Sequence, residues 1–363
     1  MKKICHISTV HDLYDDRIFY KECNSLSESG YDTILIVPSE KNNVINNITI
    51  VALPFYKNRY LRFFIGNAQA FIKSLKTKSN IFHFHDPELM FLGVLLKCFG
   101  KKVIYDIHED VSKQMLYKDW IKMKFTRKLA SLLIYAFEQF CCLFYNCIIT
   151  ATEDISKKFP KHKTIVIRNF PILKLINNSE IDKKDRPFIC VYAGGLSRIR
   201  GIKEIIEAIG IIDKEIELWL FGKFDNEEYF EECKKTIGWK NVKYRGFIKM
   251  NEVYNYIAQS DVGLSTLYPI KNYLTSLPVK AFEYMAHGKP VIMSDFPYWK
   301  EVFKDCALFV NPYNSSEIAK CISVCIDDKL LLAKLGNNGR NKVLTEYSWE
   351  NESKKLINLY KKI

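Results

Sequence analysis

Residues 276–292 read SLPVKAFEYMAHGKPVI, which predicts a loop, a short helix and then a buried strand. Pro278 suits the first turn of a helix, where the missing N–H group of proline costs no hydrogen bond. Gly288 stands where such a helix would end, and Pro290 leads into the apolar run Val291-Ile292-Met293. A helix that feeds directly into a buried strand is typical of α/β proteins.

The start of this helix has the features of an anion-binding site. The first N–H groups of a helix have no partner within the helix, and Lys280 adds a positive charge beside them. Glu283 lies one turn further on, where a carboxylate can accept hydrogen bonds from sugar hydroxyl groups. A phosphate site beside such an acid suits a nucleotide-sugar, although the segment read alone would serve any phosphorylated ligand.

Strand-like runs alternate with helical patterns in two successive series. The first series of predicted strands comprises 3–8, 33–37, 49–53, 81–84, 102–106 and 147–150. The second series comprises 188–193, 216–221, 242–244, 262–264, 290–293 and 307–310. Strands separated by helices indicate βαβ units and parallel sheets. We therefore predict an α/β fold with two doubly wound, Rossmann-like parallel-sheet domains, whose ligands bind in a cleft at the carboxyl ends of the strands.

A polar stretch that ends in a proline, 177–187, is the best candidate for the linker between the two series. We place the boundary near residue 180, which gives an N-terminal domain of residues 1–180 and a second domain of residues 181–348. The last helix, within 349–363, extends the second domain or crosses back to the first.

Composition limits the choice of partners without deciding among them. The formal net charge of +13 over 363 residues favours an anionic partner, which could be nucleic acid, anionic lipid or a phosphorylated substrate. The alternative is that the lysines only increase solubility. The 11 cysteines include no C-x-x-C pair, so the common zinc and redox patterns are absent and a reducing cytoplasm fits best. Residues 129–149 are the one stretch that resembles a membrane span, but Glu138 and Asn146 within it argue against one.

A glycine-bearing loop follows the first strand of the second series. Gly194 and Gly195 would let a diphosphate approach the backbone, and Arg198 or Arg200 could neutralise its charge. The spacing G-x-G-x-x-G is absent here and after the first strand of the chain, which argues against a nicotinamide enzyme.

Histidines follow two strands of the first series. His108 stands at a strand's carboxyl end, where it can bind a sugar hydroxyl or make only local bonds. His83, His85 and Asp86 follow the preceding strand. Together these residues suggest a metal site, but they lack the fixed spacing of helical ligands, and we expect no metal.

Two segments of the first domain, 56–64 and 117–128, mix aromatic with basic residues. Aromatic anchors with lysine and arginine suit an anionic membrane surface. They would also suit nucleic acid, but no recognised nucleic-acid module accompanies them. The plain alternative is an amphipathic helix with solvated lysines.

Taken in order, these residues resemble the retaining family 4 glycosyltransferases of the GT-B fold, over nearly the whole chain. The most specific parts are Pro278-x-Lys280-x-Phe282-Glu283-Tyr284-Met285-Ala286-x-Gly288-x-Pro290-Val291-Ile292, the loop 194–202 and His11-x-x-x-Asp15-x-Arg17-Ile18-Phe19-x-Lys21-Glu22. Further segments are His85-Asp86-Pro87-Glu88-Leu89 and Tyr105-Asp106-x-His108-Glu109.

The resemblance implies that the second domain binds a nucleoside diphosphate sugar and that the first binds the acceptor. It assigns Glu283 to the ribose hydroxyls, Arg200 to the diphosphate and His108 to the vicinity of the transferred sugar. Phe247 would lie in the backbone region beside the base. Ser276, Pro278 and Lys280 form a Ser-x-Pro-x-Lys pattern that resembles variants found in polysaccharide assembly.

The chain departs from the family pattern at two positions. Thr275 stands eight residues before Glu283, where the family often has a second glutamate. Gly195 stands where the family often has an arginine, and Arg198 or Lys280 would then supply the missing charge.

We therefore expect a retaining glycosyltransferase, a hexosyl- or N-acetylhexosaminyltransferase that needs no cofactor or metal because lysine and arginine carry the charge of the diphosphate. The expected donor is a nucleoside diphosphate sugar, with UDP as the nucleotide. The expected acceptor is a lipid-linked surface glycan at the inner face of a bacterial membrane, with the protein cytoplasmic and peripheral. The alternatives are a nucleotide-sugar epimerase of the same fold, or a non-catalytic basic protein that binds membrane or nucleic acid.

Overall fold

A computed structural model of the chain describes residues 2–116, 123–176 and 186–363. It divides into two compact units, Met1–Asn169 with Glu352–Ile363, and Phe170–Asn351. The boundary predicted near residue 180, most of the predicted linker and the first half of the segment 117–128 lie outside the described residues.

The first unit is built on an eight-stranded sheet with the order β3-β4-β2-β1-β5-β6-β7-β8, in which only the β3–β4 pair is antiparallel. Its strands are β1 (Lys3–Ile7), β2 (Asp32–Pro38), β3 (Asn43–Ile45), β4 (Ile48–Leu53), β5 (Ile81–Phe84), β6 (Lys102–Ile107), β7 (Cys147–Thr150) and β8 (Thr164–Val166). The central strands are buried almost throughout, as parallel strands covered on both faces must be.

Helices connect these strands. They are α1 (Asn24–Glu28), α2 (Arg59–Leu61), α3 (Asn67–Lys76), α4 (Met90–Cys98), α5 (Val111–Met115), α6 (Lys124–Phe144) and α7 (Glu153–Ser156). A π-helical segment, Asp16–Cys23, precedes α1, and the Asp15 side chain caps it by accepting hydrogen bonds from the N–H groups of Arg17 and Ile18. The last helix is α16 (Trp349–Lys362), and its residues from Glu352 onward belong to this unit together with Ile363.

The second unit has a six-stranded parallel sheet with the order β11-β10-β9-β12-β13-β14. Its strands are β9 (Phe188–Ala193), β10 (Ile216–Phe221), β11 (Val242–Tyr244), β12 (Val262–Ser265), β13 (Val291–Ser294) and β14 (Ala307–Val310). Its helices are α8 (Ile202–Ile211), α9 (Glu227–Lys234), α10 (Met250–Gln259), α11 (Lys271–Leu274), α12 (Val279–Ala286), α13 (Pro297–Phe303), α14 (Ser315–Asp327) and α15 (Lys329–Thr345).

The predicted α/β fold with two parallel sheets is confirmed, and every predicted strand is present within two residues of its predicted bounds. Two short edge strands, β3 and β8, were not predicted. The helical segment after β1 begins at Asp16 and opens as a π-helix. In the part of the chain that the structure describes, no helix is both long and apolar enough to cross a bilayer. Residues 129–149 form most of α6 and the strand β7, and all 11 cysteines are free thiols.

Candidate functional site

The glycine loop leaves the carboxyl end of β9 at Gly194. The N–H of Gly194 donates to the Phe221 carbonyl at 2.9 Å, which fixes the loop to the end of β10. Gly194 has φ +143°, and a Cβ atom there would lie 2.7 Å from Lys280 Nζ. Only glycine suits this position, because a side chain would be strained and would also displace the lysine.

Helix α12 brings Lys280 to this loop. Pro278 is its N-cap residue, one position before the first turn in which it was predicted, and the apolar face formed by Ala281, Phe282 and Met285 is buried. The Tyr284 hydroxyl accepts a hydrogen bond of 3.0 Å from the Ala193 N–H, which ties the helix to the last residue of β9. The start of α12 and the glycine loop are therefore held together by the core of the unit.

Lys280 is the most unusual charged side chain of the site. Its Nζ is buried and has no hydrogen-bond partner among the residues that the structure describes. It lies 3.8 Å from the centre of the Tyr192 ring, an arrangement in which the ring face attracts the cation. Burial, and then the charge of Arg200, holds the pKa of this ammonium well below its usual range.

Arg200 lies on the same side of the loop. Its Nη1 would be 3.3 Å from a Cβ atom on Gly194, so both cations approach the same glycine. Burial opposes the charge of the guanidinium, but the Tyr192 and Tyr273 hydroxyls interact with it and raise the pKa of Arg200. Two partly buried positive groups beside an open glycine backbone form a site that an anion would stabilise.

The remaining predicted donor-site residues occupy different places. Glu283 Oε1 accepts a 3.3 Å hydrogen bond from the Tyr254 hydroxyl. The negative charge of Glu283 offsets a small part of the lowering of the Lys280 pKa by burial and by Arg200. The Ser276 carbonyl accepts a hydrogen bond of 2.7 Å from Trp299 Nε1, which fixes the loop before α12. Phe247 follows β11 and is 70% exposed.

The structure does not bring Arg198 to this cluster. Its guanidinium pairs with Glu232 and lies over the Tyr229 ring, 4.9 Å from the ring centre. The charge beside Gly194 and Gly195 therefore comes from Lys280 and Arg200. Thr275, which stands at the second family position, is exposed after α11.

His108 belongs to the first unit and follows β6. Its Nε2 lies 2.8 Å from Asp106 Oδ2, and the His85 ring lies beside it with Nδ1 3.3 Å away. Burial alone would raise the pKa of Asp106, but Arg17, which donates two hydrogen bonds of 2.8 and 2.9 Å, holds that pKa well below its usual range. The ionised Asp106 thus orients the His108 imidazole.

Several residues of these sites were not predicted. Tyr192 and Tyr273 contact the two cations, and Tyr284 fixes α12 to β9; only the positions of Tyr192 on β9, Tyr273 on α11 and Tyr284 on α12 could have indicated them. Two groups in the first unit could hold a metal ion, His6-Glu22-His83-His85 and His85-Asp106-His108.

A cavity of about 540 Å³ in the second unit involves Phe188, Glu215 and Pro290 at the amino ends of strands, so it is separate from the glycine loop.

Residues 175–342 match the family model described as Glycosyl transferases group 1. An uncharacterized glycosyltransferase of Methanocaldococcus jannaschii, MJ1607, is 24% identical over 92% of this chain and 87% of its own length. The sucrose-phosphate synthase of Thermosynechococcus elongatus has a similar structure, with a TM-score of 0.79 and 19% identity over 100% of this chain and 99% of that one. Anabaena HepE in complex with UDP-glucose has a TM-score of 0.76 and 14% identity over 100% of both chains.

The matched region contains the glycine loop, Lys280, Arg200 and Glu283, and the structural similarity extends over both units. The chain is therefore a glycosyltransferase with the GT-B fold, and its residues 175–342 match the group 1 glycosyltransferase model.

Proposed function

We propose that this enzyme transfers a hexosyl or N-acetylhexosaminyl group from a UDP-sugar to a lipid-linked bacterial surface glycan, with retention at the anomeric carbon. The observation that carries the donor assignment is the buried ammonium of Lys280 beside Gly194, which has no hydrogen-bond partner among the described residues. A diphosphate at this position would supply the acceptors that the ammonium lacks. The UDP and UDP-glucose complexes of Anabaena HepE support UDP as the nucleotide.

The transfer breaks the bond between the anomeric carbon and the diphosphate, and negative charge develops on the departing group. In our proposal Lys280 and Arg200 stabilise that charge, because both side chains approach Gly194. Two fixed cations can do this without a metal ion. The proposed role of Glu283 is to accept hydrogen bonds from the ribose hydroxyls.

His108 is proposed to contact the sugar that is transferred. Its bond to Asp106 at 2.8 Å would fix the imidazole orientation, and Asp106 is itself held by Arg17. A contact of this kind orients the sugar and does not require a proton to move.

A hydrophobic stripe on α6 supports the proposal that the acceptor is lipid-linked. Its members recur at helical spacing along one face and are Phe125, Leu129, Leu132, Leu133, Phe140 and Leu143. Phe125 is 72% exposed and Leu143 is 70% exposed. An exposed apolar patch of this length is uncommon on a monomeric soluble protein and marks a binding surface.

The occupant that we propose for this stripe is an anionic membrane surface. Lys124 and Lys128 lie at the beginning of the same helix, where their charges would meet lipid phosphates, and the chain carries a net charge of +13. Exposed aromatic residues at Tyr60 and Phe64 fit the same role. In this proposal the enzyme is cytoplasmic and peripheral at the inner face of a bacterial membrane.

Incubation with a panel of nucleotide sugars and isolated lipid-linked acceptors tests the function. We expect one UDP-sugar to be consumed, with the sugar recovered on the lipid in the configuration of the donor. Folded protein that neither transfers nor hydrolyses any donor would refute the donor assignment. Conversion of the donor to its epimer without an acceptor would indicate the alternative reaction.

A further inference from the structure

A second cluster of polar side chains lies inside the first unit, within its core. His6 is on β1, His83 is on β5, His85 follows β5, and Glu22 is in the π-helical segment Asp16–Cys23. All four residues are buried, with no more than 2% of any of them exposed. The adjacent strands β1 and β5 place His6 directly beside His83. His85 is two residues after His83, and side chains two residues apart in a strand point to the same face, so the three imidazoles lie on the same face of the sheet.

The four side chains place one nitrogen or oxygen atom each within 4.8 Å of the others. His6 Nδ1 lies 3.0 Å from His85 Nε2 and 4.0 Å from Glu22 Oε2, and His83 Nε2 lies 3.7 Å from the same Glu22 oxygen. Ligands of a tetrahedral zinc ion are about 3.4 Å apart, given Zn–N and Zn–O distances of about 2.1 Å. The observed separations bracket that value.

Each of the four residues also has a polar partner on its side away from the group. His85 Nδ1 lies 3.3 Å from Asp106 Oδ2, and Arg17 Nε lies 3.1 Å from Glu22 Oε1. The Tyr360 hydroxyl lies 2.8 Å from His83 Nδ1 and 3.3 Å from His6 Nε2. Outer partners that accept the second N–H of each imidazole are a regular feature of histidine metal sites, because they fix the tautomer and the ring orientation.

With Glu22 ionised and no cation bound, the same atoms cannot all be satisfied. The ionised Asp106 requires a proton on His85 Nδ1, so His6 Nδ1 must donate to His85 Nε2, and Tyr360 must then donate to His6 Nε2. His83 is left to donate from Nδ1 to Tyr360, which makes its Nε2 a bare acceptor. That atom and both Glu22 oxygens are buried without a hydrogen bond in the described part of the chain, apart from the ion pair of Glu22 Oε1 with Arg17, an arrangement that costs free energy.

We infer that His6, Glu22, His83 and His85 hold a structural zinc ion in the core of the first unit. Three imidazole nitrogens and one carboxylate oxygen form a ligand set that suits Zn²⁺, and no ligand position faces solvent, as in structural rather than catalytic sites. The ion would belong to the first unit, whereas the diphosphate is proposed to bind residues of the second unit, where the transfer needs no metal in our proposal.

Metal analysis of the full, untagged chain purified from zinc-supplemented culture tests this inference. We expect about one zinc per chain, and after chelation we expect Co²⁺ to give the strong visible absorption of a tetrahedral site. Glu22→Gln and His83→Gln should lose the zinc. His162→Gln is the matched control, because His162 is an exposed histidine of the same unit and should retain it.

Tyr360→Phe provides a variant that keeps all four ligands and removes only the shared outer partner. We expect its zinc affinity to fall by about 10–100-fold, the usual effect of losing such a partner. Two results would overturn the inference. One is a wild-type chain that holds less than about a tenth of a zinc and gains no thermal stability from added Zn²⁺, which would favour a proton on Glu22. The other is equal zinc loss in His162→Gln.

Discussion

The ammonium of Lys280 lies 3.8 Å from the centre of the Tyr192 ring, so a cation from the start of α12 rests on the face of a tyrosine from β9. The ring replaces only part of the hydration that the ammonium loses on burial, and Nζ has no hydrogen bond in the described part of the chain. The fold therefore holds an amine whose charged form is incompletely stabilised until an anion binds.

Replacing Lys280 by methionine should stabilise the ligand-free enzyme and weaken its binding to UDP. The pKa of Lys280 is lowered in the folded state, so the unfolded chain holds the lysine proton more tightly than the folded chain does. At neutral pH, burying this lysine therefore opposes folding. Loss of one charge-assisted hydrogen bond, worth about 1.5–3 kcal/mol, should raise the Kd for UDP by about 10–100-fold. Thermal unfolding and calorimetry measure the two effects.

Lys243→Met is the control for that substitution, since Lys243 lies on the surface of the same unit and pairs with Glu217 at 3.6 Å. It should change neither the Tm nor the Kd appreciably. A Lys280→Met enzyme that is less stable than wild type and binds UDP normally would show that the lysine serves packing alone.

The affinity for UDP should fall as pH rises above about 7, where the terminal phosphate is already ionised. Burial and Arg200 lower the pKa of Lys280 in the free enzyme, and a bound diphosphate would raise it again. Between these two pKa values binding takes up a proton, so a rise in pH opposes binding. Calorimetry in buffers of different ionisation enthalpy should detect up to one proton taken up, and Lys280→Met should abolish the uptake.

Gly194→Ala should impair both folding and donor binding. The residue has φ +143°, a strained conformation for alanine that costs about 1–3 kcal/mol, and the new Cβ would lie 2.7 Å from Lys280 Nζ. Gly100→Ala is a matched control, because Gly100 has φ +71° but open space around it. Both variants should melt earlier, whereas only Gly194→Ala should lose affinity for UDP; equal affinities would argue against a diphosphate at this loop.

Glu283→Ala should distinguish the contribution of the ribose to UDP binding from that of the diphosphate. If the carboxylate binds ribose hydroxyls, its loss should weaken UDP by about 10–100-fold and leave the affinity for inorganic pyrophosphate unchanged. Glu252→Ala, which removes an exposed acid on α10, should affect neither ligand. A parallel loss of UDP and pyrophosphate binding would mean that Glu283 acts by supporting Lys280 and not by contacting ribose.

The parallel-sheet units and the α12 segment could be predicted because their signals are local. Pro278 and Gly288 limit the helix, and the alternation of buried strands with helices specifies both sheets. The antiparallel strand β3 was missed because the pattern of Asn43–Ile45 is short and exposed, and its pairing with β4 depends on a turn in which Asn46 and Asn47 have positive φ angles. A local pattern does not contain that turn geometry.

The residues that complete the sites depend on contacts between distant segments. Arg198 and Arg200 are equivalent candidates in the sequence, and only the position of Glu232, 34 residues further on, separates their roles. Likewise His83 and His85 show the period of a strand, but their approach to Glu22 and Tyr360 requires the register of β1 with β5 and the return of α16 to the first unit. No local spacing predicts such a group.

Replacing Leu132 and Leu143 of the α6 stripe by glutamate should reduce binding to vesicles that contain anionic lipid. Both side chains are more than 60% exposed, so the double substitution should leave the Tm nearly unchanged. Each leucine that enters the bilayer interface contributes up to about 1.5–3 kcal/mol, and new negative charges would repel the lipid phosphates, so we expect affinity to fall at least about tenfold.

Leu330→Glu, at an 85% exposed leucine of α15, is the control and should bind as wild type. Vesicle sedimentation at two salt concentrations measures the effect, with weaker wild-type binding expected at the higher salt. An equal loss of vesicle binding in the two variants, or a wild-type enzyme that does not bind anionic vesicles, would contradict the proposed membrane binding. Neither result would bear on the proposed donor site.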